Sequence, residues 1–290
     1  MEVQQFSDPT AFRSLVDRLL LRNEARNALF FGVTGTLVDR PHVYEEFYLW
    51  SVVEDGEAVA AAAMTPPHNL LLADGAPYEA LVELADFVDD SGVDLPGAQG
   101  NRPPVDHFCA LWKQARNVEA HVEVELGVHA LTEVSVQPKV PGEPRVATPD
   151  DVELIVEWVT AFLEEADPLS PRSNVEGAVK NRLGIDPAFG GIWVWEVAEQ
   201  PVALSGYGGR TPNGIRIGPV YTPPQARRRG YATALVARQS GWLLEQGRSF
   251  CFLYTDLANP TSNSIYRRIG YDKVGDARRY GFTSPNPTTV

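Results

Sequence analysis

Arg227-Arg228-Arg229-Gly230-Tyr231-Ala232 stands between a β-type run and a helical run. Upstream, Ile215-Arg216-Ile217-Gly218-Pro219-Val220-Tyr221 alternates and is rich in β-formers, and Thr222-Pro223-Pro224 breaks it. Downstream, Ala232, Leu235, Val236, Gln239, Trp242 and Leu243 recur at helical spacing, with Gly247 as the stop. A strand, a glycine-containing turn and a helix start aim several unpaired backbone N–H groups at one point. Free donors and the positive end of the helix dipole coincide there, which is the arrangement that holds a phosphate or pyrophosphate. Gly230 permits close approach, Ala232 adds little bulk, and the arginines add cationic charge. The expected ligand is a pyrophosphate-bearing cofactor.

A second segment lies downstream. Cys251-Phe252-Leu253-Tyr254-Thr255 reads as a strand ended by Asp256-Leu257-Ala258-Asn259-Pro260, and residues 261–271 read as a short helix with a glycine stop. Thr261 or Ser262 can cap that helix, and Ile265 with Ile269 forms an apolar i, i+4 pair.

The spacing Arg-x-x-Gly-x-Ala after a strand resembles the acyl-CoA pyrophosphate loop of the GNAT acetyltransferase superfamily, written Gln/Arg-x-x-Gly-x-Gly/Ala after the fourth strand. Asn259, Tyr266 seven residues later and the pair Gly270-Tyr271 resemble the second signature of the same superfamily. The resemblance implies acetyl-CoA as co-substrate, held by Val220, Tyr221, Thr222, Arg227, Arg228, Arg229, Gly230, Tyr231, Ala232, Thr233, Asn259 and Asn263. It implies that strands four and five splay apart, and that a main-chain N–H near Val220 or Tyr221 polarises the thioester carbonyl. Tyr266 is implied as the catalytic acid that protonates the departing sulfur. The implied activity is transfer of an acetyl group to a primary amine of a small molecule or peptide. A non-catalytic acyl-CoA-binding sensor is the alternative. Arg216 stands where many members carry a glutamate base; Glu196, Glu164 and Glu165 are the remaining candidates, and a base need not exist. Tyr207, Trp193, Trp158 and Phe162 are candidate linings of an acceptor pocket.

Charge and composition agree with this class. The net charge is −13 over 290 residues, which argues against a general nucleic-acid binder. Residues 1–145 carry 10 Lys+Arg and 23 Asp+Glu, whereas residues 146–290 carry 15 of each. The half with the arginine loop is therefore free of the acidic excess, which suits an anionic cofactor. Cys109 and Cys251 read as small apolar residues, and the five histidines form no metal-ligand spacing, so no metal is expected. No apolar run reaches membrane-spanning length, so a soluble cytoplasmic protein with no membrane partner is expected.

The chain also repeats itself. Residues 137–144 hold three prolines and a glycine and read as a linker, followed by the capping cluster Thr148-Pro149-Asp150-Asp151 and a helix. Two hairpins match, one near residues 48–64 and one near 193–207. Aligning Trp50 with Trp195 and Val59 with Val202 places a two-residue gap in the turn. The expected architecture is α/β: two GNAT-like units, each a mixed and mostly antiparallel sheet flanked by helices, with splayed central strands in the second. A degenerate domain over 1–140 would precede a catalytic, acetyl-CoA-binding domain over 145–290. In the first, Ala73-Asp74-Gly75-Ala76-Pro77-Tyr78-Glu79-Ala80 replaces the loop. There Pro77 deletes a donor, and Asp74 and Glu79 repel a pyrophosphate.

Overall fold

The computed structural model describes residues 1–40, 42–166 and 174–284. The chain forms two units, Met1–Val128 with Val274–Val290, and His129–Lys273. Among the described residues no helix is long and apolar enough to cross a membrane.

The first unit runs β1 Glu2–Phe6, α1 Pro9–Leu21, α2 Ala28–Asp39, β2 Tyr48–Glu54, β3 Glu57–Met64, β4 Leu70–Leu72, α3 Tyr78–Asp90, β5 Gly97–Asn101, α4 Pro104–Arg116 and most of β6 Glu119–Leu131. Its helices cover both faces of the sheet, and the alanine run of β3 shows why they can. Ala60 and Ala62 belong to one core with α3 and α4, while Ala61 and Ala63 belong to another with α1 and α2. Period-two alternation sends successive methyls to opposite faces, and the small side chains let helices approach closely on each.

The second unit runs β7 Glu143–Val146, α5 Val152–Ala166, α6 Val175–Leu183, β8 Gly191–Val197, β9 Gln200–Gly208, β10 Gly214–Tyr221, α7 Tyr231–Glu245, β11 Phe250–Asp256 and α8 Pro260–Ile269. Strands β7 to β10 are antiparallel neighbours in order, and β11 joins β10 in parallel. On one face, α7 packs on Ile215, Ile217, Cys251 and Leu253. On the other, Ile155, Trp158 and Val179 from α5 and α6 pack on Ile192, Val194, Leu204 and Tyr221.

The last strand, β12 Asp272–Thr283, falls mostly in the first unit. It pairs antiparallel with β5 from Ala277↔Asn101 to Gly281↔Gly97, which satisfies the edge of a strand that otherwise has only β4 beside it. Residues 137–144, read above as a linker between halves, lie inside the second unit, and Trp195 Nε1 donates to Pro141 O at 2.8 Å there.

The two hairpins share more than the sequence alignment implied. In the first, Asp55 and Gly56 form the turn between Glu54↔Glu57, with φ of 51° and 82°. In the second, Ala198 and Glu199 form it between Val197↔Gln200, with φ of 49° and 62°. Each ladder then shifts by one residue, at Val52/Val53 and at Trp195/Glu196. Both are two-residue turns with positive φ followed by a bulge, so the hairpins superpose without any gap. Trp50 therefore corresponds to Trp193, not to Trp195 as the gapped alignment had it.

Candidate functional site

The β10–β11 ladder has three pairs and ends at Arg216↔Phe252, although β10 continues to Tyr221 and β11 to Asp256. Pro219 has no N–H to donate, Gly218 takes φ of +138°, and the β9–β10 register shifts between Ile217 and Val220. These features turn β10 out of register and open the two strands into a V.

Beyond the V lies a cavity of about 950 Å³. Val220, Tyr221 and Thr222 from the end of β10 line it, with Arg227 to Thr233, Asn259 and Tyr266. Of the thirteen site residues named from sequence, twelve thus border one space. The exception is Asn263. Its Nδ2 donates to Asp256 O at 3.1 Å and Asn259 O at 2.9 Å, and its Oδ1 accepts from Thr255 Oγ1. The side chain ties down the first turn of α8, as a short amide at a helix start commonly does, and so holds the segment that carries Asn259.

The loop before α7 contains two residues of positive φ. Arg228 takes φ of +63° and Gly230 takes +83°, so main-chain N–H groups turn toward a common side before the helix begins. Gly230 is the N-cap and has no side chain to cap the helix, so that position leaves the first-turn donors of α7 without a capping bond among the described residues. A Cβ at position 230 would meet Val140 Cγ1 at 3.2 Å, in a backbone region where L side chains are strained. One further polar group beside the cavity lacks a partner. Thr222 Oγ1 is buried and has no hydrogen-bond partner among the described residues, yet Thr222 borders the cavity. A buried orphan hydroxyl costs stability unless something bonds to it.

The three arginines differ. Arg227 Nε donates to Thr222 O at 2.8 Å, its Nη2 donates to both carboxylate oxygens of Glu165 at 2.8 Å, and its guanidinium lies 5.6 Å from the Tyr221 ring. Glu165 raises the pKa of Arg227 above its ordinary value. Arg227 therefore braces the loop, while Arg228 and Arg229 are exposed and make no ion pair among the described residues. Arg268, two residues beyond Tyr266, adds a cation to the cavity that the sequence reading passed over, although the pair Arg267-Arg268 was its signal.

Tyr266 packs edge-on to Tyr271 at 5.8 Å, and the Tyr271 hydroxyl bonds to Ser240 Oγ at 2.8 Å. Burial pushes the Tyr266 phenol up to about 12. It therefore keeps its proton at all ordinary pH values and can present it to a developing negative charge.

Two of the three carboxylates named as base candidates have arginine partners. Glu196 is paired with Arg145 at 2.8 Å and Glu165 with Arg227, so both carboxylates have fixed cationic partners. Among the aromatic candidates, Phe162 borders the cavity. Trp158 packs on Tyr221, and Trp193 and Tyr207 pack on Trp242, as core residues do.

In the first unit the corresponding turn is closed. Asp74 is 3% exposed and pairs with Arg26 at 2.7 Å, and its N–H donates to Asn27 Oδ1 at 2.7 Å. Asn101 Nδ2, at the end of β5, donates to Arg26 O at 2.7 Å. Residues 26 and 27 thus bridge the ends of β4 and β5, the space that stands open in the second unit. Pro77 precedes α3 as its N-cap.

Comparison with known proteins bears on the second unit first. Residues 199–280 match the family model described as FR47-like protein. No curated protein matches the chain. Among solved structures, a GNAT-family acetyltransferase from Colwellia psychrerythraea aligns over 98% of this chain and 100% of its own, at 12% identity and a TM-score of 0.60. A GCN5-related N-acetyltransferase from Sphaerobacter thermophilus aligns over 96% and 94%, at 18% identity and a TM-score of 0.64. A tandem GNAT protein from the clavulanic acid biosynthesis pathway aligns over 99% and 100%, at 10% identity and a TM-score of 0.55. With its repeated hairpin and its open second sheet, the chain has the fold of the GNAT acetyltransferases in two units, and residues 199–280 resemble the FR47-like family.

Proposed function

We propose that the chain is an N-acetyltransferase that uses acetyl-CoA to acetylate a primary amine of a small molecule or peptide, with the chemistry in the second unit. One observation carries this reading: a single cavity joins the uncapped start of α7, the orphan Thr222 hydroxyl, the open V between β10 and β11, and the Tyr266 side chain. Acetyl-CoA, when bound, supplies a thioester whose acyl group passes to the amine.

The chain's own residues have separable tasks. The N–H groups of Gly230 to Thr233, with Arg228, Arg229 and the Thr222 hydroxyl, receive the diphosphate. Main-chain donors at the free end of β10, near Val220 and Tyr221, orient the carbonyl, a contact worth about 3 kcal/mol in comparable sites. Tyr266 donates a hydrogen bond to the departing sulfur. With its pKa near 12, against about 8.5 for an ordinary thiol, it shares its proton with the sulfur rather than surrendering it before the C–S bond breaks.

A second reading, a non-catalytic acyl-CoA sensor, is favoured by the pairing of Glu165 and Glu196 with arginines, which leaves neither poised as a base. Free thiol release from acetyl-CoA over an amine panel separates the two, with coenzyme A binding measured by calorimetry in parallel. An enzyme releases thiol with at least one amine and loses most of that rate in Tyr266→Phe at unchanged binding. A sensor binds and releases none.

A further inference from the structure

Residues 132–142 join β6 to β7 outside any helix or strand, and they lie wholly within the second unit. The segment is fixed at several points along its length. The Ser135 N–H donates to Ile269 O, at the end of α8, at 2.8 Å. Arg238 Nη1, on α7, donates to Gln137 Oε1 at 3.3 Å, and Pro141 O accepts from the Trp195 indole on β8 at 2.8 Å. The segment thus forms a strap from the last residue of α8 across α7 to β8. Its side chains alternate. Val134 packs in the core that holds Ile215 and Cys251, and Val140 in the core that holds Trp195 and Leu235, while Ser135, Gln137 and Lys139 are exposed. The even-numbered positions face the unit, and the two in the middle, Val136 and Pro138, border the cavity.

A single exposed valine is ordinary on a protein surface. Val136 differs in its placement: it is 54% exposed although the strap packs inward on both sides of it, and the space it faces is the cavity. That space has two charged ends. Val140 Cγ1 lies 3.2 Å from where a Cβ on Gly230 would stand. Pro138, two residues earlier, is therefore within about 7 Å of chain from the contact with the arginine loop. At the other end, the bond from Ser135 to Ile269 brings Val136 close to Arg268, which is exposed and also borders the cavity.

We infer that Val136, Pro138 and Arg268 form the subsite for the adenosine of acetyl-CoA, with the two apolar side chains on the face of the base and Arg268 at the 3′-phosphate. The inference deepens the reading above and rests on its co-substrate, not on turnover. Three parts of that ligand need places. The pantetheine amides need main-chain partners, which the open ends of β10 and β11 offer, and the diphosphate takes the start of α7. A flat base and a phosphate remain. Pro138 has no N–H, so Val136 and Pro138 suit the face of a ring better than an amide, and a guanidinium suits a phosphate. The strap precedes residues 199–280, so this subsite lies outside the segment that resembles the FR47-like family.

Three ligands test this on the full chain: coenzyme A, 3′-dephospho-coenzyme A, and 4′-phosphopantetheine, which lacks the nucleotide. Affinities are read by calorimetry, and by ligand-observed NMR for the weaker fragment. Val136→Asn should weaken coenzyme A about fivefold and leave 4′-phosphopantetheine within about twofold, at an unchanged melting temperature. Pro138→Ser repeats the comparison should Val136→Asn prove unstable. The wild type should prefer coenzyme A over its 3′-dephospho form at least about fivefold, and Arg268→Gln should erase that preference. Equal losses for coenzyme A and 4′-phosphopantetheine, no loss for either, or a wild type indifferent to the 3′-phosphate would overturn the subsite. Coenzyme A binding of the expected pattern without thiol release from any amine would defeat the acetyltransfer reading and leave the subsite standing. A chain that binds no coenzyme A would overturn both.

Discussion

Arg227 Nη2 donates to both carboxylate oxygens of Glu165, each at 2.8 Å, across the mouth of the cavity that the arginine loop borders. The arginine that opens the loop motif is therefore already neutralised by a residue from the end of α5. Removing that charge should help an anion rather than harm it. Glu165→Gln is expected to tighten coenzyme A binding about twofold to fivefold, the scale of a half-exposed ion pair. Calorimetric titration checks the sign, and the gain should shrink as salt is raised.

The Thr222 hydroxyl makes opposite demands on the free and the bound protein. Thr222→Val removes a buried oxygen that has no partner, so the melting temperature should hold or rise. The same change deletes a donor to the diphosphate, so coenzyme A affinity should fall about fivefold to tenfold. A variant that loses both stability and affinity would indicate a packing role.

Tyr266→Phe should lower kcat about 100-fold, at the lower end of what a positioned proton donor contributes, with little change in the KM for acetyl-CoA. The pH dependence has a definite sign. A phenol with a pKa raised to about 12 is fully protonated below pH 10 and loses its donor form only as pH rises through about 12. A pH–rate profile from 6 to 10 should therefore show no basic limb from this group, and any fall in that range must come from another.

Arg145 holds Asp151 through two bonds, at 2.7 and 2.8 Å, and with the Thr148 N–H lowers its carboxyl to about 2. A depressed carboxyl contributes stability above its unfolded pKa near 4 and loses it as pH falls toward 2. Asp151→Asn should cost about 1–2 kcal/mol at pH 7 and flatten the acid side of the stability curve between pH 4 and 2. Denaturant unfolding at several pH values checks this.

What the sequence made legible was local. The loop at 227–233 could be recognised because its chemistry lies in consecutive residues, a β-type run, a glycine and a helix start. The break in β10 was visible in Pro219 for the same reason. The turn at 198–199 was misplaced because Ala198 and Glu199 adopt positive φ without the glycine or asparagine that usually marks it, and the gap assigned to the hairpin followed from that. Placement of the last strand beside β5 left no trace in either segment, since Gly97 and Gly281 meet across more than 180 residues.

The central claim is that the start of α7 in the second unit receives the diphosphate of acetyl-CoA. Ala232→Asp tests it most directly, because an acid in the first turn favours the helix and opposes a bound anion. Titrating coenzyme A into the wild type should give one site per chain, and into the variant an affinity at least tenfold lower with an undiminished melting temperature. Two sites per chain, or equal affinity in a variant that is folded, would contradict the claim.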